Sequence, residues 1–104
     1  MIITSTLEVP GREIESIIGI ARGSTVRARN IGRDIFAGLK NIVGGEISEY
    51  TQLMADSREE ALYRMQIDGS KLGADAIVNV RFTTAAVMNG ASEILAYGTA
   101  VKLK

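Results

Sequence analysis

The chain contains no cysteine and no histidine. Without cysteine there is no disulfide, no thiol nucleophile and no thiolate metal site, and without histidine the side chain best suited to proton transfer near neutral pH is missing. Most familiar catalytic sites are thereby closed off. An excess of one charge is lacking too: 12 Lys and Arg balance 12 Asp and Glu, evenly divided between the two halves of the chain. No basic or acidic tail therefore points to nucleic acid or to a membrane surface. No stretch approaches the ~18 uninterrupted apolar residues that a membrane helix requires. The opening MIITSTLEVPG has neither the basic segment nor the long apolar core of an export signal, so a cytoplasmic location is the default expectation.

What is present is an ordinary globular composition, 46% hydrophobic and 23% charged over 104 residues, enough for a single domain (1–104) around one core. IITSTL reads as a strand. Val9-Pro10-Gly11 is a turn signal, with Pro10 fixing φ and Gly11 free to take φ > 0. Residues 14–28, IESIIGIARGSTVRA, carry the Ile and Val content of a long strand, with Gly19 and Gly23 marking bulges or close backbone approaches. From Asn30 the apolar spacing changes to three and four, through Ile31, Ile35, Phe36, Leu39, Ile42 and Val43. Asn30 can cap that helix and Gly44-Gly45 can stop it. A second helix is predicted from about Glu49 to Leu72, ended by Gly73, with Leu53, Met54, Ala61, Leu62 and Met65 inward. Asp56, Glu60 and Arg64 form an i, i+4 charge ladder on another face.

Asn89-Gly90 is the strongest two-residue hairpin signal and predicts a register. A tight turn pairs Met88 with Ala91, Thr84 with Leu95, Phe82 with Tyr97, Val80 with Thr99 and Val78 with Val101. By strand alternation these residues share one face, read as the core beneath both helices. The other face, Ile77 to Val87 against Ser92 to Lys102, is largely small and apolar, with Arg81 across Gly98. A water-facing sheet surface should be more polar. A second copy of the chain is the economical cover.

The stretch NIGRDIFAGLKNIVGG (30–45) invites comparison with a phosphate loop. It fails: Gly32 to Gly38 is one residue too long, Leu39 follows Gly38 and Asn41 stands where a hydroxyl is needed. Gly38 is read instead as a structural glycine at a close approach. Arg33 and Asp34, in the first helical turn, are read as a structural ion pair able to reach another element or subunit. The basic cluster Arg22, Arg27, Arg29 and Arg33 lacks the interleaved aromatics of a single-strand binder and is read as a solvated strand end. No EF-hand spacing occurs. Met54 and Met65 lie about 16 Å apart along their helix and so cannot share an ion.

The motifs N-I-x-R-D-x-F-A-G-x-x-N-I-V-G-G at 30–45, L-G-A-D-A-I-V at 72–78, N-G at 89–90 and G-T-A-V-K at 98–102 resemble the YbjQ-type family. The resemblance runs nearly end to end. It implies a dodecin-subunit-like α+β fold: a curved antiparallel sheet with N-terminal strands, two central helices on one face and a C-terminal β-hairpin, assembled as a homopentamer whose rings can stack. The family also carries a heavy-metal-binding label. That label does not carry over residue by residue, because some members have a cysteine where this chain has Ile18. Asn30, Arg33, Asp34, Phe36, Gly38, Gly44, Gly45 and Gly98 match as signature residues without a catalytic role.

The leading expectation is a non-enzymatic homo-oligomer that holds a small or anionic ligand at subunit junctions, with Asn30, Arg33, Asp34 and Arg81 as the candidate residues. No cofactor, nucleic acid or membrane is expected as a partner. A metal-binding protein is the alternative and a carboxylate-based enzyme the third option; no spacing marks a carboxylate pair.

Overall fold

The computed structural model describes residues 1–27, 48–88 and 91–104. Its elements are β1 (Ile2–Ile3), β2 (Ile14–Arg27), α1 (Ser48–Lys71), β3 (Ala76–Met88) and β4 (Ala91–Leu103). The helix expected at 30–45 and the Asn89-Gly90 turn lie outside the described residues.

The four strands form one sheet in the order β1-β3-β4-β2. β2 and β3 flank β4 and run antiparallel to it, whereas β1 runs parallel to β3. The sheet is therefore mixed, a correction to the wholly antiparallel expectation. β2 already occupies one side of β4, and the chain from β1 reaches the far edge of β3 by a long crossover, the connection that parallel pairing requires. β1 is short, but Thr4 continues its pairing by donating to Ile77 O (3.0 Å) and accepting from Val80 N–H (3.0 Å). The turn behaves as its residues predict: Gly11 has φ 82°, and Arg12 N–H donates to Val9 O.

α1 spans 24 residues and stops where Gly73 takes φ 83°. Its inner side packs on β2 and β4. Ala61 and Met65 are fully buried with Ala21, Ile77, Ile94, Ala96 and Ala100, and Met54 and Leu62 pack at the margin. The contact is close because the sheet is nearly bare beneath it. A Cβ on Gly23 would meet Ala61 O at 2.5 Å and Arg64 C at 2.6 Å, with Met65 N nearer still. Ile77 fills the remaining space: a Cβ on Gly69 would lie 2.8 Å from its Cδ1, and one on Gly98 would lie 2.7 Å from its Cγ2.

This arrangement corrects the predicted core face. Met88 does pair with Ala91, but one extra β3 residue before Met88 and another between Val78 and Arg81 shift the register twice. Phe82 therefore pairs with Ala96, Thr84 with Ile94 and Val78 with Thr99. The helix covers the β4 row Ile94, Ala96 and Ala100, which was expected to face a sister molecule. The reason is steric: small residues let the helix backbone approach, and a row holding Leu95 and Tyr97 does not. At the upper bulge Asn79 takes φ 53°, a conformation that asparagine tolerates better than branched residues. Phe82, expected in the core, shares the helix-side face but is 46% exposed, since α1 lies over β2 and β4.

Among the described residues, the opposite face is covered at one end only. There Val9 closes a small second core with Ala76, Val78, Val101 and Leu103.

Gly23→Ala should destabilise the fold by about 3 kcal/mol, because helix backbone must move to admit one methyl group. Gly19→Ala, whose Cβ would meet nothing within 4 Å, should change stability by less than about 0.5 kcal/mol. Urea unfolding followed by circular dichroism measures both.

Candidate functional site

Beyond the Val9 cover, no described residue lies over the second face of the sheet, and Ile20, Val26 and Tyr97 on it are exposed. Cross-strand partners share a face, so the register places Ile20, Thr99 and Val78 in one row and Arg22, Tyr97 and Arg81 in the next. Ser24, Leu95 and Thr83 follow, then Val26, Glu93 and Ala85. Ile20, Arg22, Thr83, Leu95 and Tyr97 line a shallow depression. Ile20 is 61% exposed and Tyr97 38%. The surface is apolar along its middle, with two guanidinium-bearing residues flanking one aromatic ring.

The charged groups around it are held by backbone contacts. Arg81 donates from Nη1 to Ser5 O (3.1 Å) and Val80 O (2.9 Å), tying the N-terminal segment to β3. On the outer edge of β2, Arg22 N–H donates to Asp68 Oδ2 (3.0 Å) and Arg64 Nη1 donates to Ser24 O (2.6 Å). Arg64 also pairs with Glu60 at 2.7 Å, so that step of the predicted ladder forms while Arg64 reaches back to the sheet; Asp56 accepts instead from Gln52 Nε2 (2.8 Å). The middle of this edge is blocked by an acceptor and a donor from α1; of the basic cluster read from the sequence, Arg29 and Arg33 lie outside the described residues.

Of the predicted site residues, Asn30, Arg33, Asp34, Phe36, Gly38, Gly44 and Gly45 lie outside the described residues. Arg81 is on the open face. It does not lie across Gly98, as the uninterrupted register required: it pairs with Tyr97, while Gly98 faces the bulge, with Ile77 Cγ2 and Val80 Cγ2 about its missing Cβ. The depression's main contributors, Ile20, Leu95 and Tyr97, were not read as site residues. The alternation Ile20, Arg22, Ser24, Val26 in β2 carried the signal, but the β4 face of Leu95 and Tyr97 was taken as the one beneath the helices, whereas α1 covers Ile94, Ala96 and Ala100.

A family model described as "Putative heavy-metal-binding" matches residues 1–104. A UPF0145 protein of Archaeoglobus fulgidus is 62% identical over 104 residues, spanning 100% of this chain and 96% of the relative. The chain belongs to the YbjQ/UPF0145 family. A UPF0145 protein of Colwellia psychrerythraea is 54% identical, over 100% of this chain and 99% of its own. Among solved structures, a protein of unknown function of the DUF74 family from Pediococcus pentosaceus superposes with a TM-score of 0.62 at 19% identity, over 100% and 98% of the two chains. That likeness is one of fold.

The donor set of this YbjQ/UPF0145 member does not fit the heavy metal in the family's description. Soft metals select thiolate and thioether ligands and borderline ones imidazole; the chain has no cysteine and no histidine, which leaves only the thioethers of its four methionines. Among the described residues no three Asp or Glu side chains converge on a cation position. Met65 is fully buried in the core, with Met54 packed at its margin. Also among the described residues, no helix is long and apolar enough to cross a membrane.

Calorimetric titration of the protein with Zn²⁺ or Cu²⁺ should give no heat beyond dilution, and neither ion should raise the melting temperature. Saturable heat would mean that oxygen and thioether ligands suffice.

Proposed function

We propose that this YbjQ/UPF0145 protein is a non-catalytic, self-assembling protein that works as a homo-oligomeric ring, with a small or anionic ligand held at the junctions between copies. The observation that carries this reading is the open sheet face. A water-facing sheet surface is ordinarily polar, yet here Ile20 and Tyr97 are exposed about a half-buried Leu95, with Val26 exposed beyond. An apolar patch rimmed by polar groups is the usual mark of an interaction surface.

Assembly by strand addition along the β2 edge is disfavoured. Its middle is already hydrogen-bonded to Asp68 and Arg64 of the same chain. Burial of the face is the route this reading takes. Arg22 and Arg81 then lie at the junction, and their two positive charges support an anion there. The family resemblance favours five copies as the closure, with stacking of two rings as a further step.

Light scattering coupled to size-exclusion chromatography at micromolar concentration should give a mass several times the 11.1 kDa of one chain, five times for the single ring. A monomer would refute the proposal. Tyr97→Ala should weaken association at least tenfold while leaving the circular dichroism spectrum unchanged.

A further inference from the structure

The molecule exposes a second apolar surface, on the outer side of α1. Asp56, Glu59, Tyr63 and Ile67 succeed one another at spacings of three and four and so form one stripe. The stripe lies away from the buried Ala61 and Met65. Tyr63 is 63% exposed and Ile67 39%. It is acidic at one end and apolar at the other.

We infer that the open sheet face of one copy receives the outer stripe of α1 from the next copy, so that the contact is head-to-tail. The inference rests on the self-assembly reading and names its two surfaces. Charge supports the pairing: the row Arg22, Tyr97, Arg81 presents two cations beside a ring, and the stripe presents two carboxylates followed by an aromatic ring and an isoleucine. Length supports it too. Asp56 to Ile67 spans about 16 Å of helix, and the open part of β4 from Glu93 to Thr99 spans about 20 Å.

The competing arrangement sets two open faces together about a two-fold axis. With the axis at Tyr97 that brings Arg22 and Arg81 of one copy towards those of the other, with one carboxylate, Glu93, on the face to offset two cations, and it leaves Tyr63 and Ile67 in water. The head-to-tail contact covers both apolar surfaces at once. Because its two sides differ, every copy offers one free half to the next, and repetition closes a ring when the rotation allows.

Two variants test this by mixing. The sheet-face variant carries Ile20→Asp and Arg22→Glu; the helix-face variant carries Glu59→Arg and Tyr63→Arg. Each alone should run as a monomer of 11.1 kDa, and an equimolar mixture should give a dimer with one copy of each, joined by the two intact surfaces. If the helix-face variant assembles like the wild type, or the mixture stays monomeric, the head-to-tail contact is wrong while self-assembly stands. A monomeric wild type would instead remove the reading beneath it. Circular dichroism verifies folding; should a variant unfold, Tyr63→Ala and Ile20→Ala replace the pair. Each should then weaken association at least tenfold, and unchanged association by Tyr63→Ala would overturn the inference.

Discussion

The contact between α1 and the sheet is the constraint from which the rest of the structure follows. A helix normally rests on side chains, at interaxial spacings of about 8–10 Å between helices and comparable distances over sheets. Here Gly23, Ala21, Ala96 and Ala100 leave so little beneath α1 that its backbone at Ala61, Arg64 and Met65 comes against the strand itself. Ile77 supplies the bulk that the small residues lack, lodged between Gly69 and Gly98. A helix so close to β2 also brings Asp68 and Arg64 within reach of the strand's outer edge, where they engage Arg22 N–H and Ser24 O.

The two faces of the sheet acquire their different characters from this contact. Small residues in β4 lie under the helix, and the larger Leu95 and Tyr97 turn to the other side. The bulge at Asn79 allows β3 to follow. Below it Ile77 points to the helix and Val78 to the Val9 core; above it Arg81 and Thr83 join the open face. One additional residue in a strand thus decides which side chains enter the core and which are left for a partner.

Much of the fold was legible from local chemistry. The long β2, the helix ending before Gly73, the Val9–Arg12 turn and the hairpin joining β3 to β4 each rest on residues whose effect is local: a positive φ at glycine, a fixed φ at proline, or apolar spacing along one element. Gly19 and Gly23 were read as a bulge or a close approach, and the structure contains one of each. The core face and the site were read wrongly for two reasons. Alternation names the two faces of β4 but not which of them a helix will cover, and the row of Leu95 and Tyr97 was taken as the inner one. Alternation also carries a register faithfully only while no residue is inserted, and β3 holds two insertions, the first of which separates Arg81 from Gly98. Asn79, a poor strand former among Val, Ile and Phe, was the visible trace of the second insertion.

The sequence by itself determined the family, the α+β class, the main elements and the lack of thiol and imidazole ligands, since each depends on residue identity or on neighbours close along the chain. Only the tertiary structure decided which face of the sheet the helix covers, that β1 joins β3 in parallel, and that Arg22, Tyr97 and Arg81 stand in one row. Those features arise where strands distant in sequence meet, and small residues permit a contact without specifying with whom it is made.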